Sequence, residues 1–275
     1  MTAPLVRYRA NLAAADTNRL KSPNIWSDCP EVQIREGSIG GMYSDWDFVD
    51  GGLITSPTTE AALVGLPLIG FGSSGATVTY GDEQGGTLVL TEATDNEAVY
   101  VKNKPGAFQI SSLKGKFWFE ARIKVNAITD NQIGFLLGMF DDVAMTVVVP
   151  LSTANPPILA TTGNFVGFWG REEDAGMVHT EYKADGVTTV VVQESVHQFV
   201  ADTYVKLGMK FDPKDAYLRF YVNNVEQSSK KLIPNATGTD FPADVRLNWM
   251  FGQRLGASTS SLTTCDWIKV YQLDA

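Results

Sequence analysis

The stretch "KFWFEARIKV", Lys116 to Val125, alternates strictly. Phe117, Phe119, Ala121, Ile123 and Val125 fall on one side and Trp118, Glu120, Arg122 and Lys124 on the other. Successive side chains of a strand point to opposite faces, so this pattern predicts a half-buried β-strand. "YVKLGMKF" repeats it with Val205, Leu207, Met209 and Phe211 inside. "DPKDA", Asp212 to Ala216, supplies a turn, and "YLRFYVNN" returns with Leu218, Phe220 and Val222 inside. Together they predict a β-hairpin. Further strands are expected at "TLVLTE", "QIGFLLGMF", "MTVVVP", "FVGFWG", "TTVVVQ", "VRLNWMF" and "DWIKVYQL". No long amphipathic helix interrupts them. The expected fold class is all-β, an antiparallel two-sheet sandwich of jelly-roll type over residues 76–275.

Composition agrees. Apolar residues make up 44% of the 275, enough for a sizeable core, and charged residues only 19%, low for a helix-rich chain. A net charge of −9 argues against a nucleic-acid partner, which would need a cationic surface. No segment is apolar over the ~18 residues of a membrane helix, so no membrane partner is expected. The N-terminal residues carry no signal-peptide core, because Arg7, Arg9 and Asn11 interrupt them. The chain reads as cytosol-made, with Cys29 and Cys265 as two buried thiols more readily than a disulfide.

Residues 1–75 read as an irregular N-terminal arm. Val6 to Leu20 suit a short helix, and "EGSIGGMYSDWDFVDGG", Glu36 to Gly52, fits neither strand nor helix period. Yet the arm carries Trp26, Met42, Tyr43, Trp46 and Phe48, groups that are stable in water only when packed on something. The arm is therefore expected to dock on its own domain or a neighbouring subunit. Trp26, Tyr43, Trp46 and Phe48 are the expected partner anchors. "GFGSSG", Gly70 to Gly75, spells a dinucleotide fingerprint, but "ATVTY" after it favours a strand where the fingerprint needs a helix. Its expected role is a hinge between arm and sandwich.

The run "FWFEARIKV", "IGFLLGMFD", "FVGFWG", "YVKLGMKFDPKDAYLRFYVNNVEQ" and "DWIKVYQ" resembles the concanavalin A-like, laminin-G-like sandwich family over about residues 76–275. An acidic chain joining an arm to such a sandwich is similar to tailed-phage virion proteins, in particular capsid decoration proteins. That resemblance implies a structural virion protein on the capsid surface, with the major capsid protein or other shell subunits as partners, homo-oligomers, and no cofactor. The alternative it implies is a lectin-like module for host-surface adsorption, with Trp118, Tyr204, Tyr217 and Tyr221 offering an aromatic platform to a glycan or a neighbour.

A glycoside hydrolase is a distant third. Glycosidases of this fold commonly carry E-x-D-x-x-E, and no such triplet occurs. Glu120 stands alone, and Glu172, Glu173 and Asp174 suit a solvated hairpin tip. Ser73 and Ser74 lack a nucleophile elbow, and His179 and His197 lack a triad context. The chain is expected not to be an enzyme. Asp45, Asp47 and Asp50 miss the EF-hand spacing, whereas Asp141 and Asp142 sit where calcium is sometimes held at a sandwich rim. "NAT", Asn235 to Thr237, is a glycosylation sequon without meaning in a cytosolic chain.

Overall fold

A computed structural model describes residues 19–48, 54–55, 58–63, 68–83, 85–103, 106–129, 132–152, 159–174, 176–188, 190–233, 240–257 and 261–275. Two short helices come first, α1 (Pro23–Trp26) and α2 (Glu31–Arg35). Strands follow: β1 (Gly41–Trp46), β2 (Ile54–Thr55), β3 (Ala61–Ala62), β4 (Leu68–Gly72), β5 (Thr77–Gly81), β6 (Thr87–Glu92), β7 (Ala98–Asn103), β8 (Phe117–Val125) and β9 (Ile133–Phe140). The rest are β10 (Phe165–Gly170), β11 (Met177–Lys183), β12 (Val190–Gln198), β13 (Val205–Asp212), β14 (Tyr217–Val222), β15 (Val225–Leu232), β16 (Asn248–Leu255) and β17 (Ser261–Leu273).

They form two antiparallel sheets. Sheet one runs β15-β14-β13-β8-β17-β6-β5-β2, and sheet two runs β12-β11-β10-β9-β16-β7-β4-β3. The long β17 changes partner along its length: Ser261–Cys265 pair with β6, and Ile268–Leu273 with β1. The fold class is the one expected, a jelly-roll β-sandwich.

The alternation of β8, β13 and β14 explains the core. Their inward residues, Phe117 to Val125, Val205 to Phe211 and Leu218 to Val222 taken alternately, meet Leu137, Met139, Val166, Phe168, Trp249 and Phe251 of sheet two. Each such side chain contributes about 1.5–3 kcal/mol when fully buried. Turn chemistry sets the register. Asp212 Oδ1 accepts the Lys214 N–H at 3.0 Å in the first turn. Asn223 and Asn224 adopt φ of 46° and 71° in the next, as a two-residue type I′ hairpin requires.

Two expectations change. Met145–Pro150 is no strand; it makes a turn with a single bridge, Thr146 to Val149. Met145, Val149 and Leu151 instead lie on the outer face of sheet two against Phe140 and Trp169, so their apolarity serves a sheet face and not a ladder. The border at residue 75 falls inside the sandwich. β1 extends sheet one, and β3 and β4 extend sheet two. "GFGSSG" ends β4 in one sheet and turns into β5 of the other. Gly75 takes φ 95° there, and the Ala76 N–H reaches Ser73 O at 3.0 Å. The helix expected at Val6 to Leu20 lies, but for its last two residues, outside the described residues.

Candidate functional site

The outer face of sheet one is covered by the chain itself. Trp26 and Ile34, from α1 and α2, pack with Ile25 on Trp118, Tyr221 and Tyr271. Gly208 leaves the space Ile25 needs: a Cβ there would stand 2.4 Å from Ile25 Cδ1. Buried Glu120 accepts the Ser22 N–H at 2.9 Å and the Trp26 indole N–H at 2.6 Å through Oε2. Burial pushes the Glu120 carboxyl up, and these bonds oppose that rise. A bulge in β17 turns Asp266 outward, where Arg122 donates to it at 2.6 Å and Arg19 at 2.7 Å. Asp28 closes the far end against Lys210 at 2.7 Å, Lys116 at 2.9 Å and the Trp118 indole at 3.0 Å.

This docking corrects the expected anchors. Trp26 and Phe48 are buried within their own sandwich. Trp46 stacks near Phe48 and meets Trp249 edge-on, with 6.3 Å between centroids in each pair. Only Tyr43 remains exposed, at 47%, its ring stacked on Tyr271. The expected aromatic platform is corrected too. Trp118 is fully buried and Tyr221 nearly so, both beneath the N-terminal segment. The Arg122 guanidinium lies 3.7 Å from the Tyr204 ring centre, and Lys230 lies 4.3 Å from that of Tyr217. Trp118 and Tyr221 are closed to a sugar ring, and Tyr204 and Tyr217 each carry a cation against the ring.

The outer face of sheet two is built differently. Ala98, Tyr100, Leu136, Phe140, Phe165, Trp169 and Met250 make it apolar, and residues 141–152 lie across part of it. Beside that cover, between residues 58–60 and 144–147, a pocket of about 650 Å³ opens. Ala144 and Val147 form its apolar side together with the nearly buried Phe71 and Met145, 6% and 1% exposed, and the Phe71 ring is stacked on Tyr100 at 6.2 Å. Ser74 and Thr146 add exposed hydroxyls, and Glu60 and Glu97 add carboxylates. Each comes from a local feature. Phe71 faces outward because β4 alternates, Ser74 sits on the β4–β5 turn, and Glu97 leads into β7. Glu60 is fixed by the Met145 N–H and by Lys102 Nζ at 3.3 Å. This mixture of apolar side, hydroxyls and carboxylates can take up a polyol whose C–H face packs on the apolar side while its hydroxyls donate to anions.

Further along the same face, Glu181 is buried, with Oε2 lacking a hydrogen-bond partner. Burial raises its carboxyl to about 7, with Trp169 and Arg171 opposing part of the rise and Glu194 adding to it. Glu172, expected on a solvated tip, is buried near Arg254 and raised by that burial. His179 joins Asp174 at 3.1 Å, and its Nδ1 accepts the Ser195 N–H, which leaves no nitrogen for a serine hydroxyl. His197 meets Phe199 edge-on, and Ser73 Oγ is held by Ala98.

Among the described residues no three His, Cys, Asp or Glu side chains form a metal-holding group. Asp45 takes Arg35 and Lys269, Asp47 takes Arg19, and Asp141 takes the Asn164 and Val143 N–H groups. Asp50 and the sequon at 235–237 lie outside the described residues. Cys29 and Cys265 are free thiols.

No family model matches the sequence, and no curated protein matches it. Solved structures do. Peanut lectin, solved with a 9mer peptide, superposes with a TM-score of 0.57 at 14% identity, covering 84% of this chain and 97% of the lectin. A protein of unknown function from Shewanella oneidensis MR-1 gives 0.54 at 10% identity over 89% and 94%. An endo-1,3-beta-glucanase from Streptomyces sioyaensis gives 0.50 at 10% identity over 86% and 90%. The glucanase overturns the exclusion of enzymes made from sequence, because the missing E-x-D-x-x-E triplet does not set this chain apart from folds that host hydrolases. At such identities the likeness carries the fold alone: this chain is a lectin- and glucanase-like jelly-roll β-sandwich.

Proposed function

We propose that this chain is a carbohydrate-binding protein and that the pocket beside Phe71 is its sugar site. The observation that carries the reading is the pocket's make-up, an apolar side ringed by hydroxyls and carboxylates on the outer face of a lectin-like sandwich. Its volume lies within the roughly 300–1,000 Å³ typical of small-ligand sites. The test is a glycan panel read by calorimetry. Wild type is expected to bind at least one oligosaccharide. Ser74→Arg, which fills the rim from an exposed turn, is expected to weaken it roughly tenfold or more, about 1.4 kcal/mol. Absence of any glycan ligand, or one that ignores Ser74→Arg, overturns the proposal.

A second reading keeps the structural virion role. Its support is separate: Leu20, Val32, Ile39 and Tyr43 are four of the ten large apolar side chains exposed among the described residues, and all lie on the N-terminal segment. Shell subunits or a second copy would be the partners. Mass spectrometry of purified particles that fails to find the chain removes this reading.

A further inference from the structure

We infer that the Phe71 pocket selects sugars carrying a free, protonated amine over neutral and acidic ones; the inference rests on the carbohydrate reading above. The argument is the pocket's charge. Among the described residues Glu60 and Glu97 line it, and no lysine, arginine or histidine does. The nearby cation, Lys102, is only 1% exposed and is already spent: its Nζ donates to Val143 O at 2.8 Å and pairs with Glu60. Glu60 is spent with it, holding the Met145 N–H as well. Glu97 is different. It is half-buried at the pocket wall and has no ion-pair partner among the described residues.

A half-buried carboxylate beside an apolar wall meets a lower effective dielectric than bulk water, so a cation placed there gains more than at an open surface. An ammonium group on a sugar ring supplies that cation and up to three donors, while the C–H face of the ring covers the pocket's apolar side. A uronate or sialate would instead set a carboxylate against Glu97, at a cost of the same order. The chain's net charge of −9 adds a long-range field of the same sign.

The test compares three probes at pH 6 on the full chain: a β-1,4-linked glucosamine hexamer, its N-acetylated counterpart and a galacturonate hexamer. The amine form is expected to bind roughly tenfold tighter than the N-acetylated form, with galacturonate weakest. Raising salt from about 0.05 to 0.5 M is expected to shrink that preference, since the contact is part-exposed. Glu97→Gln is expected to abolish the preference by weakening the amine form roughly tenfold, a larger loss than that of the N-acetylated hexamer. Equal affinity for amine and N-acetyl forms, or a preference that survives Glu97→Gln, overturns the inference. If neutral binding then still falls with Ser74→Arg, the carbohydrate reading stands without it. If no probe and no glycan binds, both are overturned.

Discussion

Trp26 decides whether the N-terminal segment is a detachable tail or part of the sandwich. Its side chain is 4% exposed, meets Tyr271 edge-on at 5.6 Å and donates to Glu120 at 2.6 Å. Truncating a buried tryptophan to alanine costs about 3–5 kcal/mol. Removing one of the two donors to a fully buried carboxyl costs a further 1–3 kcal/mol or so. The terms overlap because the ring and its N–H leave together, so Trp26→Ala is expected to lose at least about 3 kcal/mol. Trp26→Phe separates them: it keeps much of the packing, loses the N–H, and is expected to cost about 1–3 kcal/mol. Urea unfolding followed by circular dichroism reads both. A loss below about 1 kcal/mol for Trp26→Ala would mean that the segment is not integral, and the account of sheet one would fail.

Gly208→Val drives a Cβ towards Ile25 Cδ1 and to 2.9 Å from Phe119 O; it is expected to cost roughly 1–3 kcal/mol in thermal unfolding and to expose α1 to proteolysis. Glu181 holds its proton up to about 7 when folded but releases it near 4.3 when unfolded, so stability is full below that lower value and falls as pH rises through 7, by up to about 3 kcal/mol. Glu181→Gln is expected to remove that loss and to exceed wild type at pH 8 in a stability–pH series. For Asp28 the sign is opposite. Burial would raise its carboxyl, but Lys210, Lys116 and Trp118 outweigh that and hold it at about 2, so its stabilisation is present above about pH 4 and lost as pH falls through 2. With the Asp28 side chain 37% exposed, Asp28→Asn is expected to cost only about 0.5–1 kcal/mol at pH 6, with the cost shrinking as pH falls through 2.

The sandwich was legible because β8, β13 and β14 alternate strictly, and alternation is a local property of a strand. The destination of the other face was not. Trp118 and Glu120 read as outward residues, and they are outward, but outward of sheet one is inward to the N-terminal segment. Only the pairing of residues near position 22 with residues near 120 reveals that, and no periodicity encodes it. β1 and β4 escaped notice for a similar reason: their glycines break the hydrophobic alternation while their backbones still pair with β17 and β7. The pocket was the least legible part. Its residues come from four separated segments, and Ser74 drew attention only as a failed nucleophile. No spacing rule links Glu60, Phe71, Glu97 and Thr146.

The most direct test of the carbohydrate-binding claim is hydrogen exchange on the full chain with and without a glycan found in the panel. Added protection confined to residues 58–60, 71–74, 97 and 144–147 is the outcome expected from the pocket's lining. Protection on the N-terminal segment or on the β12 and β15 edges, with none around Phe71, would contradict it.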